Sequence, residues 1–385
     1  MLKKRILIFY DHFYPAYKAG GPVQSLVNLV RELYKDYDFF IVCKPHEMNE
    51  TEKLDGIEIN EWTNWDQKAQ VMYWNYSWRA RAELKKIILE VKPDSIFING
   101  LFSLYFNILP LKYGIAYSKL HTGSRVVLSA RGMLHPGALS QKPLKKKLFL
   151  LLFKLFGWHQ QIRWHATDEQ EINYIRNEVG ASVNAEIAGN FPNLLPVASA
   201  PEKKTNELVM GTVALISPMK NHLEIIKALQ TLEATITWHI YGPVKDTAYW
   251  QQCKELIQQL PSAISVQYHG ELPPAELALV MNRFQLFIMP SKSENFGHAL
   301  LEAFSAGKPV ITTNTTPFKN LQKEKAGVTV SATSLASELP EAIRFFAAMQ
   351  QDEFSVYAAN AATFARNFFA AEQLRQQYQH LFTTA

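Results

Sequence analysis

Short apolar runs alternate with segments of helical periodicity along nearly the whole chain. Residues 6–10, 39–43, 95–98, 126–129 and 162–166 are apolar runs of strand length. Helical patterns, such as 22–33 and 79–91, lie between most of them. This strand–helix–strand alternation predicts a parallel sheet with helices on both faces.

The alternation breaks after residue 190. The stretch from Asn190-Phe191-Pro192-Asn193 to Lys204-Thr205-Asn206 is rich in Pro, Asn and small residues and reads as a linker. A second strand–helix series follows, with strands at 208–213, 236–241, 264–268, 284–289, 309–312 and 327–330, and the end is helical and Ala-rich from about Ser334. The expected architecture is therefore α/β with two doubly wound, Rossmann-like domains. Residues 1–190 form the first domain, 191–206 the linker and 207–367 the second domain. A C-terminal helix, 368–385, is expected to pack back on the first. Two such domains facing each other would bind a ligand in the cleft between the carboxyl ends of their strands.

Composition narrows the class. A chain of 385 residues is too long for one ordinary core, and 48% hydrophobic with 19% charged residues describes a folded globular protein. Cys43 and Cys253 are far apart and lack metal-ligand spacing, which fits a reducing compartment. Lys3, Lys4 and Arg5 precede an apolar run, as in a signal peptide. That run ends at Asp11 and falls below the ~7–15 residues of an h-region, so a first strand and a cytoplasmic chain are expected. No apolar run approaches the ~18 residues of a membrane span. The net charge of +5 is uneven, and between residues 95 and 167 there are ten basic residues and no acidic one. A field of one sign over that span points to an anionic partner.

The densest candidate chemistry runs from Glu294-Asn295-Phe296-Gly297-His298 through Glu302 to Gly307-Lys308-Pro309-Val310. A strand, a polar loop at 290–293 and a helix starting near 295–297 are expected there, capped by Ser293 or Asn295. The amides of Phe296, Gly297 and His298 would then be free to hold a phosphate. Eight residues of helix rise about 12 Å, whereas a glycosidase carboxyl pair stands ~5–9.5 Å apart. Glu294 and Glu302 are thus expected to accept hydrogen bonds from hydroxyls on either side of a diphosphate, as in a nucleotide-sugar. By spacing alone, two solvated glutamates on an amphipathic helix would fit equally well.

The segment 291–310 resembles the donor-binding motif of family four of the retaining glycosyltransferases, which have the GT-B fold. The resemblance extends over most of the chain. Tyr14-Pro15-Ala16-Tyr17-Lys18-Ala19-Gly20-Gly21-Pro22 is similar to that family's glycine loop, and Ser217-Pro218-Met219-Lys220-Asn221 to its basic phosphate-contact motif. Ile240-Tyr241-Gly242-Pro243 and Gly270-Glu271-Leu272 fall where its nucleobase pocket is built.

The resemblance implies roles for these positions. Glu294 would contact the donor sugar and Glu302 the ribose. Lys220 and the 296–298 backbone would hold the diphosphate. Gly20 and Gly21 would let the first-domain loop approach the phosphates, and Gly242 and Leu272 would line the base pocket. It implies a UDP- or GDP-type sugar as co-substrate, no cofactor and no metal. The one Asp-x-Asp, at Asp36 and Asp38, reads as a solvated turn. It also implies retention without an enzymic nucleophile, the leaving phosphate oxygen helping to deprotonate the acceptor.

Two positions depart from the pattern. Leu215 stands where the family commonly has an arginine. Arg131 stands about where many members carry a histidine, with His135 downstream as an acceptor-side candidate. Arg131 stays protonated, so it would stabilise leaving-group charge or bind an acceptor phosphate.

Lys142, Lys145, Lys146 and Lys147 lead into the bulky apolar stretch 148–158. That stretch reads equally as a buried helix or as one lying on an anionic membrane surface. Trp62, Trp65, Tyr73, Trp74, Tyr76 and Trp78 suit sugar stacking, although core packing is the commoner use. No nucleic-acid recognition motif is present. The expected function is transfer of a hexosyl-type sugar from a nucleoside diphosphate donor to a glycan or lipid-linked glycan, in surface polysaccharide biosynthesis. The site would lie in the cytoplasm, peripheral to the membrane in the lipid-linked case. The alternatives are a nucleotide-sugar epimerase or hydrolase of the same fold, or an inactive nucleotide-sugar-binding subunit.

Overall fold

The structure, a computed structural model, describes residues 3–140, 143–368 and 371–383. It divides into two units, Met1–Phe191 with Ala370–Ala385, and Pro192–Phe369. The first unit contains β1 (Lys4–Phe9), α1 (Gly21–Leu33), β2 (Tyr37–Cys43), β3 (Trp62–Trp65), β4 (Ala69–Tyr73), α2 (Ala80–Val91) and β5 (Ser95–Asn99). It continues with α3 (Leu109–Leu120), β6 (Arg125–Ser129), α4 (Pro136–Leu139), α5 (Pro143–Leu155), β7 (Arg163–Ala166), α6 (Glu169–Val179) and β8 (Ala185–Ile187).

The sheet order is β3-β4-β2-β1-β5-β6-β7-β8, parallel except where β3 pairs antiparallel with β4. Ile6, Leu7, Ile8 and Phe9 of β1 are all fully buried, because helices cover both faces of a central parallel strand. The order reverses beside β1, which has β2 on one side and β5 on the other. A ligand crevice is expected outside the strand ends at such a switch point.

The second unit contains β9 (Glu207–Val213), α7 (His222–Leu229), β10 (Thr235–Tyr241), α8 (Thr247–Ile257), β11 (Ile264–Tyr268), α9 (Leu277–Met281) and β12 (Leu286–Met289). There follow α10 (His298–Ser305), β13 (Val310–Thr313), β14 (Gly327–Val330), α11 (Leu335–Ala348) and α12 (Gln351–Asn367). All its strand pairs are parallel, in the order β11-β10-β9-β12-β13-β14, with the switch point between β9 and β12. The last helix, α13 (Ala371–Thr383), buries Tyr378, Leu381 and Phe382 in the first unit's core, beside Tyr37 and Phe97.

Three sequence expectations change. The hairpin β3–β4 sits at a sheet edge within a region where no strand was expected. Its turn residues Asp66 and Gln67 both adopt positive φ (51° and 56°), as a tight hairpin requires. Segment 191–206 has little regular structure, but 192–206 is tied along the second unit. The amides of Leu195 and Ala198 donate to Ser305 Oγ and Ala306 O, and Lys203 is buried under the carbonyls of Ala347 and Met349.

The apolar stretch 148–158 is neither wholly buried nor wholly superficial. Leu150 and Phe153 enter the core, whereas Leu148, Leu151, Leu152 and Leu155 are exposed. Lys142 lies outside the described residues. Of the aromatic cluster, Tyr73 and Trp74 are core residues and only Trp78 is strongly exposed. No helix of the described residues is long and apolar enough to cross a membrane.

Candidate functional site

In the second unit, the loops leaving β9 and β12 meet at the switch point. After β9 the chain makes a short 3-10 turn, Pro218–Lys220, and Asn221 then takes a left-handed φ of 57° before α7. Asn221 is buried, and its Nδ2 donates to Pro290 O at 2.8 Å. The Lys292 amide donates to Met219 O at 2.8 Å. These two bonds hold the β9 and β12 exits together.

Across that seam Lys220 Nζ forms a salt bridge with the Glu294 carboxylate, and both side chains are largely buried. Exit of β13 braces the same loop, since Thr313 Oγ1 and Thr315 Oγ1 both donate to Ser291 O, at 2.5 and 3.1 Å. A cation and a carboxylate are thereby fixed at the strand ends where ligands of open α/β sheets bind.

The helix after this loop begins later than expected. α10 starts at His298, its N-cap is Gly297, and neither Ser293 nor Asn295 caps it. Gly297 adopts φ 74° and ψ 49°, a left-handed conformation that costs a residue with a Cβ about 1–2 kcal/mol. An added Cβ would also stand 2.8 Å from the Phe318 ring. The local backbone therefore selects glycine over a side-chain cap.

The first Gly297-to-helix bond is Leu301 N to Gly297 O. Ala299 and Leu300 therefore stand in the first turn ahead of that bond, so the helix start lies two residues later than the 296–298 set expected. Phe296 remains at the entrance, its ring 4.5 Å from that of His298, and Asn295 is exposed.

Because Glu294 precedes α10 rather than lying on it, helix rise does not set its distance from Glu302. Glu302 is one turn into α10, on the same face as His298. It is buried and accepts a 3.1 Å hydrogen bond from Asn193 Nδ2. Burial pushes its carboxyl up to about 7, while the Asn193 bond opposes the shift. Asn193 had read as part of a linker. Lys308 is buried nearby in sequence and donates to Ser199 O at 2.7 Å; burial alone lowers its ammonium to about 8.

At the neighbouring β10 exit, Gly242 has φ 137° and lies so near Ala214 O that an added Cβ would be 2.0 Å from it. Its amide donates to Gly270 O at 2.7 Å and its carbonyl accepts from the Tyr268 hydroxyl at 3.0 Å. Leu272 is half-buried against the core that holds Met281 and Phe284. Leu215 is half-buried in the β9 exit loop.

The remaining candidates belong to the first unit. Gly20, with φ 74°, is the N-cap of α1 and Gly21 its first residue. The loop before them is pinned by Glu47, which accepts from the amides of Tyr17 (2.7 Å) and Lys18 (3.1 Å). Sequence reasoning did not single out Glu47.

Arg131 follows β6 and adopts φ 49°, unusual for a residue with a side chain. Its Nε donates to Asn99 Oδ1 at 2.5 Å and its Nη1 to Asn190 Oδ1 at 2.8 Å. Among the described residues no carboxylate forms an ion pair with Arg131, so two neutral amides orient its charge. His135 is exposed; its Nδ1 accepts from the Gly137 amide and caps α4, and its ring packs edge-on against Tyr174.

Residues 198–363 match the family model of the glycosyl transferases group 1. This part of the chain is similar to that family. The matched segment contains Lys220, Gly242, Leu272 and the whole stretch from Glu294 to Glu302. No curated protein matches the chain significantly.

Solved structures match it over nearly its full length. Sucrose-phosphate synthase from Thermosynechococcus elongatus is 16% identical, with a TM-score of 0.70 and 99% of each chain covered. The Anabaena protein Alr3699/HepE, in complex with UDP and glucose, is 16% identical, with a TM-score of 0.65 and 98% of each chain covered. WaaG, a glycosyltransferase involved in lipopolysaccharide biosynthesis, is 13% identical, with a TM-score of 0.61 and 99% of this chain and 100% of that one covered. At these identities the likeness establishes the fold, the expected GT-B class with two parallel-sheet α/β units.

Proposed function

We propose that the protein transfers a sugar from a UDP- or GDP-type nucleotide sugar to a glycan or lipid-linked glycan, with retention and without a bound metal. The observation that carries the reading is the Lys220–Glu294 pair fixed at the β9/β12 switch point, beside the start of α10. In this reading the donor diphosphate takes the place of Glu294 on Lys220, and the amides opening α10 complete its anion site. Glu294, released, accepts hydrogen bonds from the donor sugar, and Glu302 accepts them from the ribose.

Leu215 removes one cation from the family pattern. Lys292, exposed and joined through its amide to the residue before Lys220, supplies the second positive charge. Gly242 and Leu272 form part of the base pocket, and Gly20 and Gly21 the glycine loop. Arg131, lacking a carboxylate partner, stabilises negative charge on the leaving group or an acceptor phosphate. No side chain acts as nucleophile; catalysis rests on positioning and on stabilising the departing diphosphate.

The Alr3699/HepE complex with UDP and glucose supports a UDP-type donor, and the part WaaG takes in lipopolysaccharide biosynthesis supports a glycan acceptor. The test is nucleoside diphosphate release from UDP- and GDP-sugars with and without glycan acceptors. Release that requires an acceptor and is lost in Glu294→Ala supports transfer. Release or epimerisation at full rate without any acceptor would make the chain a hydrolase or epimerase instead.

A further inference from the structure

We propose that the outward face of α5 docks on a lipid bilayer carrying anionic headgroups. The inference rests on α5 alone and stands whether or not the donor reading does.

α5 has two apolar faces. At 3.6 residues per turn, Leu144, Leu148, Leu151, Leu152 and Leu155 fall within an arc of about 100°. Leu150 and Phe153 lie on the opposite side, where they pack into the core of the first unit beside Trp164 and Ile162. The outward arc is not a frayed edge of that core. Leu144 is 82% exposed, Leu155 73% and Leu148 57%. Phe156, just past the helix, extends the stripe at 61% exposure, with its ring stacked on Trp158. A continuous apolar stripe of this size on a folded unit marks an interaction surface.

The charges decide what it meets. Lys146 turns inward, donating to Ala138 O at 2.7 Å and lying over the Phe102 ring. Lys145, Lys147 and Lys154 are exposed and fall on both flanks of the leucine arc, Lys145 on one side and Lys147 and Lys154 on the other. Flanking lysines can lay their stems along an apolar band and keep their ammonium groups in a headgroup layer. No acidic residue occurs between positions 95 and 167, so every charge on α5 itself is positive, although α6 packed beside it carries Glu169, Glu171 and Glu178. A second copy of the chain presenting the same face would bring like charges together. An anionic lipid surface supplies both an apolar layer and the opposite charge.

The test uses the full chain and flotation with mixed phosphatidylcholine–phosphatidylglycerol vesicles against pure phosphatidylcholine. The wild type is expected to bind the mixed vesicles and to dissociate as salt rises. Combined Lys145→Gln, Lys147→Gln and Lys154→Gln is expected to lower partitioning about a hundredfold. Combined Leu148→Gln, Leu151→Gln and Leu155→Gln is expected to abolish flotation while leaving the melting temperature unchanged, since all three side chains point to solvent. Leu151→Trp, whose added fluorescence is quenched by lipids brominated in the acyl chain, reports insertion directly and keeps the test open if a triple variant folds poorly. Failure of the wild type to float with mixed vesicles overturns the proposal. So does unchanged flotation of the leucine triple, absence of quenching at residue 151, or a dimer lost in the leucine triple without any vesicle binding.

Discussion

Replacing Glu302 by glutamine isolates the ionisation of a carboxylate buried in α10 of the second unit. Burial raises this carboxyl from 4.5 to about 7. At 1.36 kcal/mol per pH unit, that shift corresponds to about 3 kcal/mol. The direction follows from proton counting. Between the two values the unfolded side chain has lost its proton and the native one keeps it, so native stability falls as pH rises through this window. The loss from Glu302 is complete above about pH 7 and absent below about pH 4.5.

Glutamine cannot ionise, yet its carbonyl can still accept from Asn193. Urea unfolding of both full-length proteins near pH 5 and near pH 8 should show the variant gaining on the wild type by about 3 kcal/mol at the higher pH. An equal difference at both pH values would refute the reasoning. Nucleotide binding should change in the opposite sense. If the carboxylate accepts from ribose hydroxyls, wild-type affinity rises with pH up to about 7, by roughly tenfold per unit below that value, and Glu302→Gln flattens the profile.

Other residues give independent checks. Lys220→Ala should weaken nucleoside diphosphate binding about 10- to 100-fold by calorimetry, the range of one charge-assisted hydrogen bond; an unchanged dissociation constant removes it from the site. Glu294→Ala should leave diphosphate affinity within a few-fold while turnover collapses, and a loss equal to that of Lys220→Ala would contradict its sugar-side role. Gly297→Ala should lower stability by at least about 1–2 kcal/mol, through its left-handed backbone and the Phe318 ring, and a wild-type melting temperature would refute that account. Asn193→Ala removes the bond that opposes the Glu302 shift, so the midpoint of the pH profile should move upward; a downward move would contradict the geometry.

The parallel sheets were legible because their strands are apolar on both faces and alternate with helix-length segments. Hairpin β3–β4 was not, because Asp66-Gln67 is an unusual pair for a turn that needs two positive φ angles and β3 is only half-buried. Lys220, Glu294 and Glu302 could be singled out as candidates from motif and order alone. Their arrangement could not. The start of α10 depends on Gly297 meeting Phe318, and the ion pair depends on the Asn221–Pro290 and Lys292–Met219 bonds between separate strand exits. Asn193 escaped notice because a Pro- and Asn-rich stretch looks like a linker until its contacts along α10 are seen. The α5 segment was ambiguous in sequence, since composition cannot tell two opposed apolar faces from one buried helix.

Calorimetric titration of UDP and GDP into the full chain near pH 8 tests the donor site most directly. Saturable one-to-one binding of at least one of them, lost in Lys220→Ala, is the predicted result. Absence of heat with either nucleotide, or binding indifferent to Lys220, would contradict the assignment of the β9/β12 switch point as the nucleotide-sugar site.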